Sequence, residues 1–437
     1  MIFAVAALGC KTNQYEMDAL AEKLRSMGLT PAASGCKADL YVLNTCAVTG
    51  EAERKSRQLL RRYRRENPRA LIVACGCGAQ RSDLTSLADL VIGTRLRDRL
   101  PDLILEAAEN KSGRPINLVQ PALTGASYEE LGATAVPGET RAYLKIQDGC
   151  DNRCAYCAIC LARGPARNRA VDKILEEAED LARRGFAEIV LTGTNINAFG
   201  PDMGERDGSL DLAGLLALLD KVEGIRRIRL GSLESGTITP RFIERLSALD
   251  HLCPSFHLSL QSGSDRILRA MKRRDTTDQY REAVSLLRTQ FPGAGITTDL
   301  IVGFPGENDQ DFEQTLAFCH EIGFLRIHVF RFSPRPGTSA SAMAGRVSKE
   351  TAAQRSRILR DTARELAVSA IRDRLGQSRE VLVERMDRKG RALGYSPEYI
   401  QVIGEAAGPQ TTPPVRGQVR AMRLLGVEGE AALASIL

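Results

Sequence analysis

Cysteine carries the chemistry that can be read from this chain. The segment "CDNRCAYCAIC", residues 150–160, holds four of the eleven cysteines in 437 residues. Two registers compete there. Cys150, Cys154 and Cys157 form C-x3-C-x2-C, whereas Cys154, Cys157 and Cys160 form C-x2-C-x2-C, the front of a ferredoxin run. A closed electron-carrying site needs a fourth thiolate, and none follows at ferredoxin spacing; Cys253-Pro254 has the right dipeptide but lies far downstream. A cubane held by three cysteines leaves one iron open, and an open position is what separates a catalytic metal site from a closed one. Such an iron can chelate the amino and carboxylate groups of S-adenosylmethionine and pass an electron to its sulfonium. A zinc knuckle and unliganded buried thiols are the competing readings. Zinc fits poorly, because no second Cys/His pair follows at finger spacing and none of the four histidines is nearby.

A second set of cysteines is spread more widely. Cys10 follows "FAVAAL", Cys46 follows "LYVLNT" and Cys77 follows "ALIVACG". Each lies just past the C-terminal end of a predicted parallel strand, the edge where open α/β sheets collect ligands. Three thiols on one edge suggest a second cluster, again with three ligands. Cys36 and Cys75 lack this placement, and plain core or surface thiols are expected there.

The elements around these residues fall into three textures. Residues 1–106 alternate β-rich runs with charged helical periods, including a helix from Gln14 with Met17, Leu20, Ala21, Leu24 and Met27 at helical spacing; a small parallel sheet is predicted. Residues 107–135 are Gly/Pro/Ser-rich and read as a linker. Over 136–366 the alternation restarts with "AYLKIQ", "EIVLTG", "RIRLGS", "SFHLSLQ", "ITTDLIVGF" and "RIHVFRF". These predict an open β/α barrel with its site at the strand C-terminal ends, closed by a long charged helix near 348–375. Thr239-Pro240 reads as a helix start. Short strands with Gly and Pro turns over 367–437 predict a small all-β barrel. The fold class is therefore α/β with a β appendage.

Composition excludes some classes. The 43% apolar and 26% charged fractions are those of an ordinary globular chain, and no apolar run reaches bilayer length. The apolar start lacks a basic leader and reads as a first strand, so a cytoplasmic protein with thiols and metal ligands in place of disulfides is expected. The net charge of +6 decides little, but "RKSRQLLRRYRRENPR" gathers Arg54, Lys55, Arg57, Arg61, Arg62, Arg64 and Arg65 on one predicted helix. That helix is either a solvated face or a phosphate-contacting surface.

"DGCDNRCAYCAICLARGPARNR" resembles the cluster loop of radical S-adenosylmethionine enzymes, whose signature is C-x3-C-x-aromatic-C. The resemblance assigns Cys150, Cys154 and Cys157 as ligands and puts Tyr156 beside the cofactor's adenine. Cys160 stands where methylthiotransferases usually have Pro; it is read as a bystander thiol, with approach to the cluster as the other reading. "LGCKTNQYEMD", "NTCAVTGEAERKSRQ" and "GCGAQ" resemble the three cysteine motifs of the methylthiotransferase N-terminal domain; "EIVLTGTNINAFG", "HLSLQSGSDRILRAMKR" and "TTDLIVGFPGE" extend the likeness through the barrel, and the C-terminal barrel resembles a TRAM domain.

The methylthiotransferase family so indicated implies two 4Fe–4S clusters and two molecules of S-adenosylmethionine, one cleaved to a 5′-deoxyadenosyl radical and one donating methyl to sulfur held by the N-terminal cluster. It also implies Gly193, Thr194, Asn195 and Gln261 around the cofactor. "LGCKTNQYE" is most similar to the branch that methylthiolates C2 of N6-threonylcarbamoyladenosine at position 37 of tRNA. The alternative is the branch acting on a ribosomal-protein side chain, which has Pro where this chain has Lys11. The expected partners are a tRNA anticodon stem-loop and a flavodoxin- or ferredoxin-like electron donor, with the chain acting as a monomer. Arg163, Arg167 and Arg169 are candidates to meet the RNA backbone, with internal salt bridges as the other reading.

Overall fold

The computed structural model describes residues 1–33, 35–110, 112–122, 127–132, 139–200, 210–406 and 414–437. The N-terminal unit is a parallel sheet of β1 (Ile2–Ala7), β2 (Thr30–Pro31), β3 (Leu40–Thr45), β4 (Leu71–Cys75), β5 (Leu90–Val91) and β6 (Ile116–Asn117), in the order β2-β1-β3-β4-β5-β6. Every residue of β3 is buried, as a central parallel strand covered on both faces must be. Helices α1 (Lys11–Ser26), α2 (Gly50–Glu66), α3 (Gly76–Arg81) and α4 (Leu100–Glu109) follow β1, β3, β4 and β5. Helix α1 starts three residues before the expected Gln14, because Cys10 is its N-cap. Its apolar stripe of Met17, Leu20, Ala21 and Leu24 packs on Phe3, Leu40, Val42 and Val73. In α2 only Ser56 and Leu60 are fully buried, so the basic residues face outward. Strand β6 joins the sheet from within the expected linker; positions 111, 123–126 and 133–135 of that linker lie outside the described residues.

The central unit contains β7 (Arg141–Lys145), the short antiparallel pair β8 (Gln147–Asp148) and β9 (Arg167–Asn168), and then β10 (Glu188–Thr192), β11 (Arg227–Arg229), β12 (Ser232–Leu233), β13 (Ser255–Leu258), β14 (Gly295–Val302) and β15 (Arg326–Arg331). Two parallel sheets, β7-β10-β11 and β12-β13-β14-β15, follow chain order, as successive βα units require. Among the described residues no pairing joins β7 to β15, so the barrel stays open on that side. Outward-facing strand residues such as Leu144, Leu191, Ile228, Phe256 and Leu300 pack against Ile174, Leu216, Leu287 and Phe318 of the helices. Each such burial contributes about 1.5–3 kcal/mol. Thr239 caps the helix Pro240–Ser247 by accepting from the Phe242 amide, as the Thr-Pro pair predicts.

The charged helix runs over Lys349–Arg372, from an Ser348 cap, and packs on β15. Beyond it, β16 (Ser378–Met386), β17 (Ala392–Tyr395), β18 (Gln401–Ala406), β19 (Val419–Glu428) and β20 (Ala431–Ile436) form the expected small barrel, closed in the order β16-β17-β18-β20-β19. Val381, Val383, Val402, Met422 and Leu424 fill it. It is fastened under the central barrel: Arg227 donates to the carbonyl of Tyr395 at 3.2 Å and Arg229 to that of Pro397 at 2.9 Å. Tyr399, in the left-handed region at φ 73°, places its ring 4.6 Å from the guanidinium of Arg229 and 5.5 Å from that of Arg141. No helix of the described residues is long and apolar enough to cross a membrane.

Candidate active site

Sheet order explains why the first three cysteines meet. Cys10 caps α1 after β1, Cys46 follows β3, and Cys77 lies in the first turn of α3 after β4. These three strands are neighbours, so their C-terminal ends deliver three thiols to one edge. Close approach needs glycine. A Cβ on Gly9 (φ 104°) would lie 2.7 Å from the Cys46 sulfur, and one on Gly76 (φ 89°) would lie 1.9 Å from Asn44 Oδ1. Burial pushes the Cys46 thiol up and the Cys77 thiol up to about 12, and the charge on Cys10 raises both further. The three sulfurs thus feel one another, and a cation is what would hold them ionised together. Cys75, two residues from Cys77, points the other way; it packs with Phe3, Met17 and Leu24 in the sheet's core.

The second trio sits on the loop after β8. The loop is pinned by Cys150 N–H donating to the Gly164 carbonyl at 3.0 Å and Ala155 N–H to that of Met271 at 2.8 Å. Burial raises Cys150 to about 11 and Cys157 to about 12, with Cys154 adding its charge to both. Donors face the sulfurs: the Ile159 amide lies 3.5 Å from Cys157 Sγ, and Asn195 Nδ2 lies 3.8 Å from Cys150 Sγ. Arg273 reaches Cys154 and edges a polar cleft with Asn152, Glu234, Lys272 and Asp275. Cys160 is half-buried, its sulfur 4.0 Å from the carbonyl of Cys157.

In neither trio do three sulfurs come within 4.8 Å of one another among the described residues. A tetrahedral zinc ion, with Zn–S of about 2.3 Å, needs sulfurs about 3.8 Å apart. The wider all-thiol sets, with amide donors to sulfur, fit iron–sulfur clusters better than a single ion.

Between the trios lies a buried ionic cluster that sequence reasoning missed. Glu16 of α1 and Asp148 of β8 face Arg97, Lys145 and Arg163. Lys145 Nζ is 3.0 Å from Glu16 and 2.9 Å from Asp148; Arg163 Nη1 is 2.8 Å from each, and Arg97 bonds to both. Arg167 lies 3.6 Å from Asp148, and Glu129 holds the other side of Arg97. Four cations therefore face three carboxylates, and the surplus charge points at sulfur: Arg163 Nε donates to Cys77 Sγ at 3.1 Å. A signal for Glu16 was present in α1. Asn13 and Glu16 continue the Leu20–Leu24 face toward the helix start, so polar groups occupy core positions and need partners there.

Three of the residues expected around the cofactor, Gly193, Thr194 and Asn195, follow β10 and lie against Gln147, Asp148 and Cys150. Gly193 leaves room beside Gln147, whose carbonyl oxygen a Cβ would meet at 3.0 Å. Thr194 Oγ1 donates to Asp148 at 3.1 Å, and the Asn195 amide donates to Gln147 Oε1 at 2.8 Å. Tyr156 bonds to Cys154 through its hydroxyl. Gln261, past the end of β13, sits at φ 76°, a strained conformation for a residue with a side chain.

The structure corrects one expectation. Arg163, Arg167 and Arg169 are 2%, 8% and 2% exposed and bind internal carboxylates, Arg169 pairing with Glu130 and Glu177. Buried and paired guanidiniums offer no surface to an RNA phosphate; internal salt bridges describe all three. Helix α2 is different. Arg57 and Arg64 are tied to Glu53 and Asp89, but Arg61 and Arg65 are exposed with no carboxylate partner among the described residues.

Residues 144–319 match the family model described as the Radical SAM superfamily, and residues 2–93 match that of Uncharacterized protein family UPF0004. The threonylcarbamoyladenosine tRNA methylthiotransferase MtaB of Thermotoga maritima is 36% identical over 92% of both chains. The chain belongs to the radical S-adenosylmethionine tRNA methylthiotransferase family. The protein of the same name from Bacillus subtilis is also 36% identical, over 92% of this chain and 89% of its own. A tRNA-2-methylthio-N(6)-dimethylallyladenosine synthase of Pelotomaculum thermopropionicum is 34% identical over 90% and 89%. Among solved structures, the radical S-adenosylmethionine methyltransferase TsrM of Kitasatospora setae shares the fold, with TM-score 0.57, 14% identity and coverage of 78% and 75%. Family membership makes the chain an enzyme that works with a 4Fe–4S cluster and S-adenosylmethionine.

Proposed function

We propose that the enzyme adds a methylthio group to C2 of N6-threonylcarbamoyladenosine at position 37 of tRNA, using two 4Fe–4S clusters and two molecules of S-adenosylmethionine per product. The observation that carries this reading is the pair of cysteine trios, at two strand edges, joined through Arg163. Cys150, Cys154 and Cys157 would hold the cluster that binds S-adenosylmethionine; Cys10, Cys46 and Cys77 would hold the second. Bound there, the clusters would supply one-electron reduction at one trio and a site for sulfur at the other.

The chain's own groups do the positioning. Amide donors at Ile159 and Val48 stabilise ionised sulfur on Cys157 and Cys46. The Glu16–Asp148 cluster fixes Arg163 against Cys77 and fills the space between the two sites with paired charge. Tyr156, Gly193, Thr194, Asn195 and Gln261 are assigned to the cofactor. Arg61 and Arg65 of α2 are assigned to tRNA phosphates in place of the three buried arginines. A small electron-transfer protein would reduce the radical cluster, and the enzyme would act as a cytoplasmic monomer.

The test is anaerobic turnover of the reconstituted enzyme with S-adenosylmethionine, dithionite and tRNA carrying the threonylcarbamoyl modification. Nucleoside digests should gain the 2-methylthio derivative together with 5′-deoxyadenosine. Formation of 5′-deoxyadenosine with an unchanged nucleoside profile would reject the tRNA substrate and leave the radical chemistry standing.

A further inference from the structure

The interior wall of the open barrel carries polar residues that the proposed cofactor sites do not use. Strands β13, β14 and β15 pair so that His257 lies beside Thr297, and Asp299 beside His328. Their neighbours Phe256, Leu258, Leu300 and Ile327 belong to the helix-side core, so His257, Asp299 and His328 project inward. His257 Nδ1 is 2.9 Å from Thr297 Oγ1, and its Nε2 is 3.3 Å from Asp299. The imidazole rings of His257 and His328 are 5.9 Å apart.

Arg326 lies two residues before His328 on the same face, its guanidinium 5.9 Å from the Tyr399 ring. Arg141 and Arg229 close by are neutralised by Glu384 and Glu188. Arg326 is not: among the described residues neither it nor Lys11 forms an ion pair with a carboxylate, and burial lowers the pKa of Lys11 while the more distant charge of Glu188 opposes that shift. Both reach His328 electrostatically. Burial lowers the pKa of that imidazole; Asp299 opposes the shift, and His257, Arg326 and Lys11 reinforce it.

Two ligands suit such a wall. The donor atoms of His257, Asp299 and His328 lie within 4.8 Å of one another, close enough for a divalent cation. The unneutralised Arg326 and Lys11 oppose a cation and favour an anion. An adenine bearing a dimethylallyl group would set hydrocarbon against these cations and desolvate them without compensation. A threonylcarbamoyl group carries a carboxylate, a hydroxyl and urea N–H groups, which match cations, imidazole and carboxylate in turn.

We propose that Arg326 and Lys11 recognise the carboxylate of the threonylcarbamoyl substituent, with His257, Asp299 and His328 meeting its hydroxyl and urea groups. This makes them the residues that select the modified adenosine, and it rests on the substrate reading above.

The test is binding of full-length reconstituted enzyme to anticodon stem-loops that carry, at position 37, threonylcarbamoyladenosine, its neutral carboxamide analogue or unmodified adenosine. Fluorescence anisotropy at one salt concentration gives the ratios. Wild type should bind the carboxylate form at least about tenfold more tightly than the carboxamide, the scale of a hydrogen-bonded charge. Arg326→Gln should bring that ratio below about threefold, and Lys11→Gln should lower it too. Each ratio is taken within one protein, so a reduced active fraction cancels. Because Lys11 adjoins Cys10, Arg326→Gln carries the decision. An Arg326→Gln ratio equal to that of wild type overturns the inference alone. A wild type that binds all three loops equally overturns the substrate reading and the inference together.

Discussion

Arg163 donates its Nε–H to the sulfur of Cys77 at 3.1 Å while its terminal nitrogens hold Asn13, Glu16 and Asp148. One side chain thus joins the radical-cluster loop to the N-terminal sheet. Removing it leaves two buried carboxylates short of a partner, which costs about 3–5 kcal/mol. Arg163→Gln should lower the melting temperature by about 3–5 degrees. Arg163→Lys keeps the charge and loses the fork, so it should fall between the two in thermal melts.

Iron and sulfide counts test the ligand assignment. Changing Cys150, Cys154 and Cys157 to Ala should remove about half of the iron, and so should changing Cys10, Cys46 and Cys77, if each trio holds one cubane. Cys160→Ala and Cys75→Ala should keep the full count. A single trio whose loss removes all the iron would dismiss the two-site arrangement.

Affinity for tRNA should fall steeply with salt, because each neutralised phosphate releases a counterion. Arg61→Gln and Arg65→Gln on α2 should each reduce the log–log slope by about 0.7–0.9. Arg64, held by Asp89 at 2.6 Å, should matter less. A slope near zero for the wild-type enzyme would speak against any RNA substrate.

Acid sensitivity follows from the same buried cluster. Burial alone would raise the Glu16 carboxyl, but Arg163, Arg97 and Lys145 together hold it well below its ordinary range; Asp148 behaves alike. Both are more acidic folded than unfolded, so their stabilisation is complete above the unfolded pKa and is lost as pH falls through and below it. Urea midpoints of the metal-free protein should stay level from pH 8 to about 5.5 and then drop as carboxylates with unfolded pKa of about 4 protonate. Glu16→Gln should be less stable at neutral pH and show a shallower acid limb. An unchanged limb in that variant would show the cluster to be energetically idle.

Much of this arrangement is legible in the amino-acid sequence. Cys10, Cys46 and Cys77 follow strands whose apolar runs are unmistakable, and a parallel sheet brings such positions to one edge. The small barrel showed in its alternation and turns. Pairing was not legible. Arg163, Arg167 and Arg169 look like any basic run, because their partners Glu16, Asp148 and Glu177 are distant in sequence or set by the fold. Cys75 ends β4 and faces the sheet's core, whereas Cys77 lies in the first turn of α3, and two positions this close in sequence do not show where the strand stops. Gln261 gave no warning of its left-handed backbone, since no glycine or asparagine marks it.

Tyr399 has a consequence for how a long nucleic acid would be handled. Wedged among Arg141, Arg229 and Arg326, it ties the appended barrel to the floor of the reaction chamber. Whatever the appendage grips is then held at a set distance from the cysteine edges above. With the tRNA substrate proposed above, the molecule would work as a ruler, choosing its base by where that base stands along the strand as well as by its decoration.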